Sequence, residues 1–280
     1  MFCSEVYTTP NGKVKVEIYL QDNEEVKKMI IQYASDLHLE FPENKAFLRL
    51  NPLQPQGEIL LLAGDIVPFA VLNRHKDFFN YLSDHFKTTW WIPGNHEYYH
   101  FDMAERSGGF KEDIKPNVHL VNNVSEIITD TRFIFSTLWS KINPGKQWFI
   151  EKSMGDFQVI KHNGFRFSID RFNEQHELCL AFVTEALTPK HTGKTIVVTH
   201  HVPTLMHYPE QYKTSELNEA FAVELFELIE KYQPDYWIYG HHHSNTPEFE
   251  IGKTKLLTNQ LGYVKYGENK GFDANRVITI

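Results

Sequence analysis

Five short apolar runs in this chain each lead directly into side chains of the kind that bind metals. Residues 30–34 precede Asp36 and His38, residues 59–63 precede Asp65, and residues 90–92 precede Asn95 and His96. Residues 196–198 precede His200, and residues 236–239 precede His241 and His243. Runs of this length and character read as buried strands. Open α/β folds collect ligands at the carboxyl ends of strands, so the five segments are expected to converge on one site. The chain must then fold as one body that brings residue 36 next to residue 243.

Spacing within the segments supports this. Asp36 and His38 are two apart, as are His241 and His243. In an extended chain alternate residues point to the same side, so each pair is expected to present two ligands together, with Leu37 and His242 facing elsewhere. Carboxylate oxygen, imidazole nitrogen and one amide oxygen form a mixed set that suits Mn²⁺, Fe, Zn²⁺, Co²⁺ or Ni²⁺ better than a thiolate-seeking metal. Gly64, Gly94 and Gly240 allow sharp turns or close approach of the backbone to a ligand. Asp65, following Gly64, is placed to bridge two cations.

The ordered series Asp36-x-His38, Gly64-Asp65, Gly94-Asn95-His96-Glu97, His200 and Gly240-His241-x-His243 resembles the calcineurin-like metallophosphoesterase superfamily. Gly-Asn-His-Glu and Gly-His-x-His are the specific parts of that pattern; Asp-x-His or Gly-Asp alone is weak. The tail, with Asn259, Gly262-Tyr263 and Gly271-Phe272, is similar to the closing strands of bacterial and phage-type members. The resemblance implies two divalent metal ions, one held by Asp36, His38, Asp65 and His243, the other by Asp65, Asn95, His200 and His241. It also implies that His96 lies beside the leaving group rather than on a metal.

The chemistry so implied is hydrolysis of a phosphoester by a metal-bridging hydroxide. Two ions about 3.5–4 Å apart can lower the pKa of a shared water from 15.7 towards 7 and clamp the phosphoryl oxygens. An imidazole with an unperturbed pKa of about 6.5, such as His96, suits protonation of the departing oxygen. A phosphodiester is slightly favoured as substrate, and a protein or small-molecule phosphomonoesterase is the alternative. From another class comes a catalytically silent metal-binding interaction module, which would be expected to lack a ligand; none is missing. Glu97 is expected to order the Asn95–His96 loop by accepting hydrogen bonds. His201 is read as standing behind the ligands or facing substrate, and Tyr98, Tyr99, His100, Trp139 and His207 as candidates for lining the cleft.

Helical periodicity marks residues 69–86, a stripe from Phe172 to Leu187 closed by Pro189, and a stripe from Leu217 to Tyr232 that stops before Pro234. Short β segments are expected at residues 118–120, 127–129, 133–137, 254–258 and 277–280. The class is α/β, and the resemblance implies a four-layer α/β/β/α sandwich of two mixed sheets with the metal site at strand carboxyl ends. Residues 29–280 are read as that domain, with 138–168 as a cap or loop insertion. Residues 1–28 are read as an extension, in which 14–20 alternate like an edge strand and 22–29 suit a short helix, or as an appendage.

The formal net charge of −8 argues against a phosphate-backbone binder, which would carry a basic stripe. A small phosphoester is therefore expected rather than long nucleic acid, and bound cations would reverse the sign locally. No apolar run approaches the roughly 20 residues that span a bilayer, so no membrane partner is expected. The first residues lack basic and apolar leader regions, and Cys179 lies on an apolar helical stripe far from Cys3. A reducing cytoplasm is the expected compartment.

Overall fold

The computed structural model describes the backbone of residues 2–9, 12–19 and 28–280, and side chains from residue 28 onward. Strands β1 (Phe2–Thr9) and β2 (Gly12–Tyr19) pair antiparallel with each other as a separate ladder. The expected edge strand over residues 14–20 thus has its partner within the extension. The helix expected over residues 22–29 falls largely outside the described residues.

The first half of the domain runs β3 (Ile30–Ala34), α1 (Pro42–Leu50), β4 (Ile59–Ala63), α2 (Lys76–His85), β5 (Thr88–Ile92), β6 (Phe110–Lys115) and β7 (Val118–Asn122). Next come β8 (Val124–Ile128), β9 (Thr131–Ser136), α3 (Gln147–Ser153), α4 (Asp156–Val159), β10 (Lys161–His162) and β11 (Phe165–Arg166). The chain continues through α5 (Ile169–Leu187), β12 (Thr195–Thr199), α6 (Asn218–Phe221), α7 (Phe226–Tyr232) and β13 (Tyr236–Tyr239). It closes with β14 (Phe249–Ile251), β15 (Thr254–Thr258) and β16 (Val277–Thr279).

Two six-stranded mixed sheets result, ordered β16-β3-β4-β5-β7-β6 and β14-β15-β13-β12-β9-β8. In each, four central strands run parallel and an antiparallel strand closes either edge. The two-residue period of a strand sorts its apolar residues into layers. Ile59, Leu61 and Ala63 of β4 meet Phe133, Phe135, Ile196, Val198 and Ile238 of the other sheet in one core. Leu60 and Leu62 turn the opposite way, into the apolar layer that holds Phe79 and Leu82 of α2. Phe172, Cys179 and Val183 of α5 are buried in the same way with Ile134 and Val197 on the outer face of the second sheet. The architecture is the α/β/β/α sandwich. Among the described residues no helix is long and apolar enough to cross a membrane.

Two local expectations are corrected. Residues 69–86 are not one α-helix: Phe69–His75 is a 3₁₀ segment and α2 starts at Lys76. The Phe78-Leu82-Phe86 stripe begins only there, while Phe69 packs on Trp91, Tyr98 and Phe101 from the tighter turn. The Leu217–Tyr232 stripe is also broken, because Ala222 pairs with Val202 in a parallel bridge and Val223 N–H donates to the Val202 carbonyl. Tertiary hydrogen bonding overrides the helical period at that point. Residues 138–168 form two short helices and a small two-stranded ladder, with Ile142, Ile150, Phe157 and Phe167 buried in the core. Helix α1 escaped notice, although Pro42 at its start and Glu43 in its first turn are ordinary helix-opening residues.

Leu61 is fully buried between the sheets and Leu50 is 83% exposed. Leu61→Ala is expected to cost about 2–5 kcal/mol of unfolding free energy, and Leu50→Ala within about 0.5 kcal/mol of nothing, as read from urea denaturation.

Candidate metal centre

Strands β3, β4 and β5 of one sheet and β12 and β13 of the other all end at the same place, and backbone hydrogen bonds continue past their ends. Asp36 N–H donates to the Gly64 carbonyl and His38 N–H to the Asp65 carbonyl, both at 2.9 Å. Gly240 N–H donates to the His200 carbonyl at 3.0 Å, and His241 N–H to Asp36 Oδ1 at 3.0 Å. The last bond ties the two sheets together at the site itself. The chain there is not extended, contrary to the simple two-residue argument. Asp36, His38, Asp65, His241 and His243 all have positive φ, between 46° and 82°. Left-handed residues other than glycine cost of order 1–3 kcal/mol each and gather where function requires them. Leu37 does leave the site for the core, and His242 is buried, accepting at Nδ1 from Gln260 Nε2 at 2.9 Å.

The expected ligand atoms fall into two groups that share Asp65: Asp36, His38, Asp65 and His243, and Asp65, His200 and His241, each set within 4.8 Å. In the first group His38 Nε2 is 2.9 Å from His243 Nε2 and 3.7 Å from Asp65 Oδ2, and His243 Nε2 is 3.4 Å from Asp36 Oδ1. In the second, His200 Nε2 is 3.4 Å from Asp65 Oδ1, 3.1 Å from His241 Nδ1 and 3.2 Å from Asn95 Oδ1. Two donors about 2.0–2.2 Å from one ion lie roughly 3–3.5 Å apart, so the spacing fits a coordination sphere.

The outer hydrogen bonds decide which atoms face inward. His38 Nδ1 is held by Glu40 at 3.1 Å and His243 Nδ1 by Glu268 at 2.8 Å. His200 Nδ1 donates to the Ala63 carbonyl at 2.8 Å, and His241 Nε2 to the Ala220 carbonyl at 3.3 Å. Each imidazole thus carries its proton on the outer nitrogen and turns its lone pair inward, the tautomer a metal ligand needs. Asn95 Nδ2 donates to Asp156 Oδ1 at 2.8 Å, which leaves its carbonyl oxygen facing His200. Lone pairs meeting lone pairs at these distances repel unless a cation lies among them. The donor set fits two divalent ions.

Charge tells the same story. Burial opposes a proton on His243, but hydrogen bonds to Asp36 and Glu268 override it and push the group up to about 10. His200 is likewise opposed by burial and driven up to about 9 by Asp65. Without cations the buried carboxylates favour an added proton on these two inward nitrogens, and bound cations would take the place of those protons.

Close packing explains the glycines. A β-carbon on Gly94 would overlap the Asp65 carboxylate and the His200 ring, and Gly64, at φ +88°, would meet the same ring. Glu97 staples the loops beneath: its carboxylate accepts from the N–H groups of Asp65, Ile66 and Gly94 at 2.9, 2.7 and 2.6 Å, and from Trp91 Nε1 at 3.1 Å. Burial and Asp65 push this carboxyl up to about 8, against the pull of those donors.

His96 stands beside both groups and in neither of the two that share Asp65. Its Nδ1 is 3.3 Å from Glu40 Oε1, its Nε2 is 3.2 Å from the Tyr263 hydroxyl, and its ring stacks on Tyr99 at 3.9 Å. Burial lowers its proton affinity, but Asp65 and Glu40 outweigh that and raise it. Of the residues read as cleft lining, only Tyr99 reaches the cavity over the site. Tyr98 and Trp139 are buried in the core, Trp139 against Phe167 and Phe172, because each gains more from apolar contact than from solvent. His100 is exposed, and His207 packs on Phe249. His201 is buried behind the ligands, 4.2 Å from the His241 ring, with Nδ1 accepting from Ser140 N–H.

Sequence reasoning passed over Glu40, Asp156 and Glu268, and assigned Tyr263 no role. Glu40 alone had a visible signal, since it continues the two-residue spacing of Asp36 and His38.

Fold and donor geometry together define a hydrolase-type centre for a pair of divalent ions. The chain belongs to the calcineurin-like phosphoesterase family, matching it over residues 31–245, and is a metal-dependent phosphoesterase. It is 34% identical to an uncharacterized protein, L509, of Acanthamoeba polyphaga mimivirus, over 84% of this chain and 91% of that one. Its fold is similar to the crystal structure of phosphopantetheinyl hydrolase from Mycobacterium tuberculosis, with a TM-score of 0.65 and 15% identity over 89% of this chain and 95% of that one.

Ions that bind only the folded state stabilise it: at 100 times Kd by about 2.7 kcal/mol per site. Saturating Mn²⁺ is therefore expected to raise the melting temperature of chelator-stripped protein by at least several degrees, less at pH 6 than at pH 8 because His200 and His243 must lose protons. Asp65→Asn is expected to remove most of the rise, as measured by scanning calorimetry.

Proposed function

We propose that this phosphoesterase hydrolyses small phosphodiesters in preference to phosphomonoesters or long nucleic acid. One observation carries the preference. The metal centre opens into a cavity of about 300 Å³ in which, among the described residues, no lysine or arginine lines the wall, while Glu268 does. Apart from His96, whose proton is committed to the leaving oxygen, no side chain there is placed to meet the second charge of a monoester dianion, whereas a diester brings one charge and a second organic group for an apolar wall. A nucleic-acid backbone would need cationic partners along its length, which the chain's charge of −8 does not favour.

In this reading Asp36, His38, Asp65 and His243 would hold one ion, and Asp65, Asn95, His200 and His241 the other. Such a pair supplies charge neutralisation at the phosphoryl oxygens and a water acidic enough to act near neutral pH. Mn²⁺ suits the oxygen and nitrogen donors and is the first metal to try. The remaining work belongs to the chain. As a water oxygen bonds to phosphorus and the bond to the leaving oxygen breaks, the leaving oxygen takes the proton of His96 Nε2, the nitrogen that Glu40 does not hold, and the proton given up by the water restores His96 through solvent. Glu40 fixes Nδ1 and stabilises the protonated ring. It grips His38 with the same oxygen, which couples the acid's position to a metal ligand. The Tyr263 hydroxyl marks where the leaving oxygen would come to lie.

His96→Ala is expected to retain both metals and lose roughly 10²–10⁴ in kcat for an alkyl leaving group, with a much smaller loss for p-nitrophenolate, which departs without a proton. Equal losses for both leaving groups would contradict the acid role. With Mn²⁺, bis-p-nitrophenyl phosphate is expected to exceed p-nitrophenyl phosphate in kcat/KM by about tenfold or more, a ratio equivalent to about 1.4 kcal/mol. A preference for the monoester would reverse the assignment.

A further inference from the structure

The cavity wall is specific in kind. The chain after β12 supplies Tyr208, Tyr212, Leu217 and Phe221, and Tyr99 and Met154 come from the other side. Phe221 stacks on the ligand His241 at 4.6 Å, as Tyr99 stacks on His96, so aromatic surface begins at the metal centre itself. Tyr263 lines the cavity as well, so four of its five phenyl-bearing side chains are tyrosines, and these differ in how they are committed. Tyr99 donates to Asp156, whereas among the described residues the hydroxyls of Tyr208 and Tyr212 have no hydrogen-bond partner. Tyrosines with uncommitted hydroxyls in this wall favour a ligand that carries polar groups over a purely aliphatic chain. Rings bearing polar edges match both features, since aromatic faces attract other rings and hydroxyls read their edges. The volume of about 300 Å³ lies at the lower end of small-molecule sites, roughly 300–1,000 Å³, and admits a ring system but not a polymer.

Building on the phosphodiesterase reading, we infer that this cavity binds the ester group of the substrate, and that the group is an uncharged planar aromatic or heteroaromatic one of about nucleoside size. Glu268 and the lack of wall cations among the described residues select against further phosphates on it.

The test uses the full chain loaded with Mn²⁺ and three diesters that share a p-nitrophenolate leaving group, with methyl, phenyl or thymidine 5′ as the other ester group. The phenyl and thymidine esters are expected to exceed the methyl ester in kcat/KM by about tenfold, and Tyr212→Ala is expected to bring the phenyl-to-methyl ratio down several-fold. Equal efficiency for all three, or a ratio unmoved by Tyr212→Ala, overturns the aromatic site while leaving the phosphodiesterase reading intact; hydrolysis of none overturns both. A 3′-phosphate added to the thymidine ester is expected to lower kcat/KM, and a rise would overturn the charge selection. Titration calorimetry with phenylphosphonate and methylphosphonate gives a readout without turnover: about tenfold tighter binding of the phenyl compound is expected, and equal Kd values contradict the inference.

Discussion

The Asp65 carboxylate is where the two sheets depend on each other. One of its oxygens faces His200 from the second sheet and the other faces His38 from the first. Buried carboxylates and inward-turned imidazole lone pairs cannot share so small a volume without positive charge among them. Protons can supply some of it, as the raised affinities of His200 and His243 show. Two divalent ions satisfy all of it, because they accept the lone pairs as well as balancing the charge. Cations bound there would tie the two sheets together as well as serve the chemistry.

Around that point the chain accepts local strain for convergence. Five of the seven ligand residues, namely Asp36, His38, Asp65, His241 and His243, adopt left-handed backbone, and glycines stand where a β-carbon would collide with a ligand. What holds these conformations is a rigid frame: continuous parallel pairing behind them, the Glu97 staple beneath them, and an outer carboxylate or backbone carbonyl on each imidazole. Two less regular stretches border the site. Residues 138–168 contribute Asp156, which turns the Asn95 amide, and Met154 at the cavity; the chain after β12 contributes the opposite wall. Variation in those two stretches could change substrate without disturbing the cage.

Much of this was legible in the sequence, for identifiable reasons. A buried strand that ends in a ligand announces itself twice, by its apolar run and by the polar residue that stops it, so β3, β4, β12 and β13 and their ligands could be located together. The seven side chains proposed as ligands do lie close together. Their backbone was misjudged, because two-residue spacing looks the same in an extended strand as in a turn of alternating hand. Leu217 to Tyr232 carried a helical period that a single bridge between Val202 and Ala222 interrupts, and long-range pairing of that sort leaves no local trace. Trp139 and Tyr98 offered two readings by residue type, cleft or core, and both side chains are buried in the core, where large aromatic area is usually spent. Glu40, Asp156 and Glu268 act through contacts with residues distant in sequence, 56 positions in the case of Glu40 and His96. Only the three-dimensional fold identifies them.

The account rests on two cations sharing Asp65, and anomalous diffraction from a Mn²⁺-soaked crystal tests it most directly. It requires two peaks, one among Asp36, His38, Asp65 and His243 and one among Asp65, Asn95, His200 and His241. A single peak, or manganese bound elsewhere with these side chains unoccupied, would contradict it.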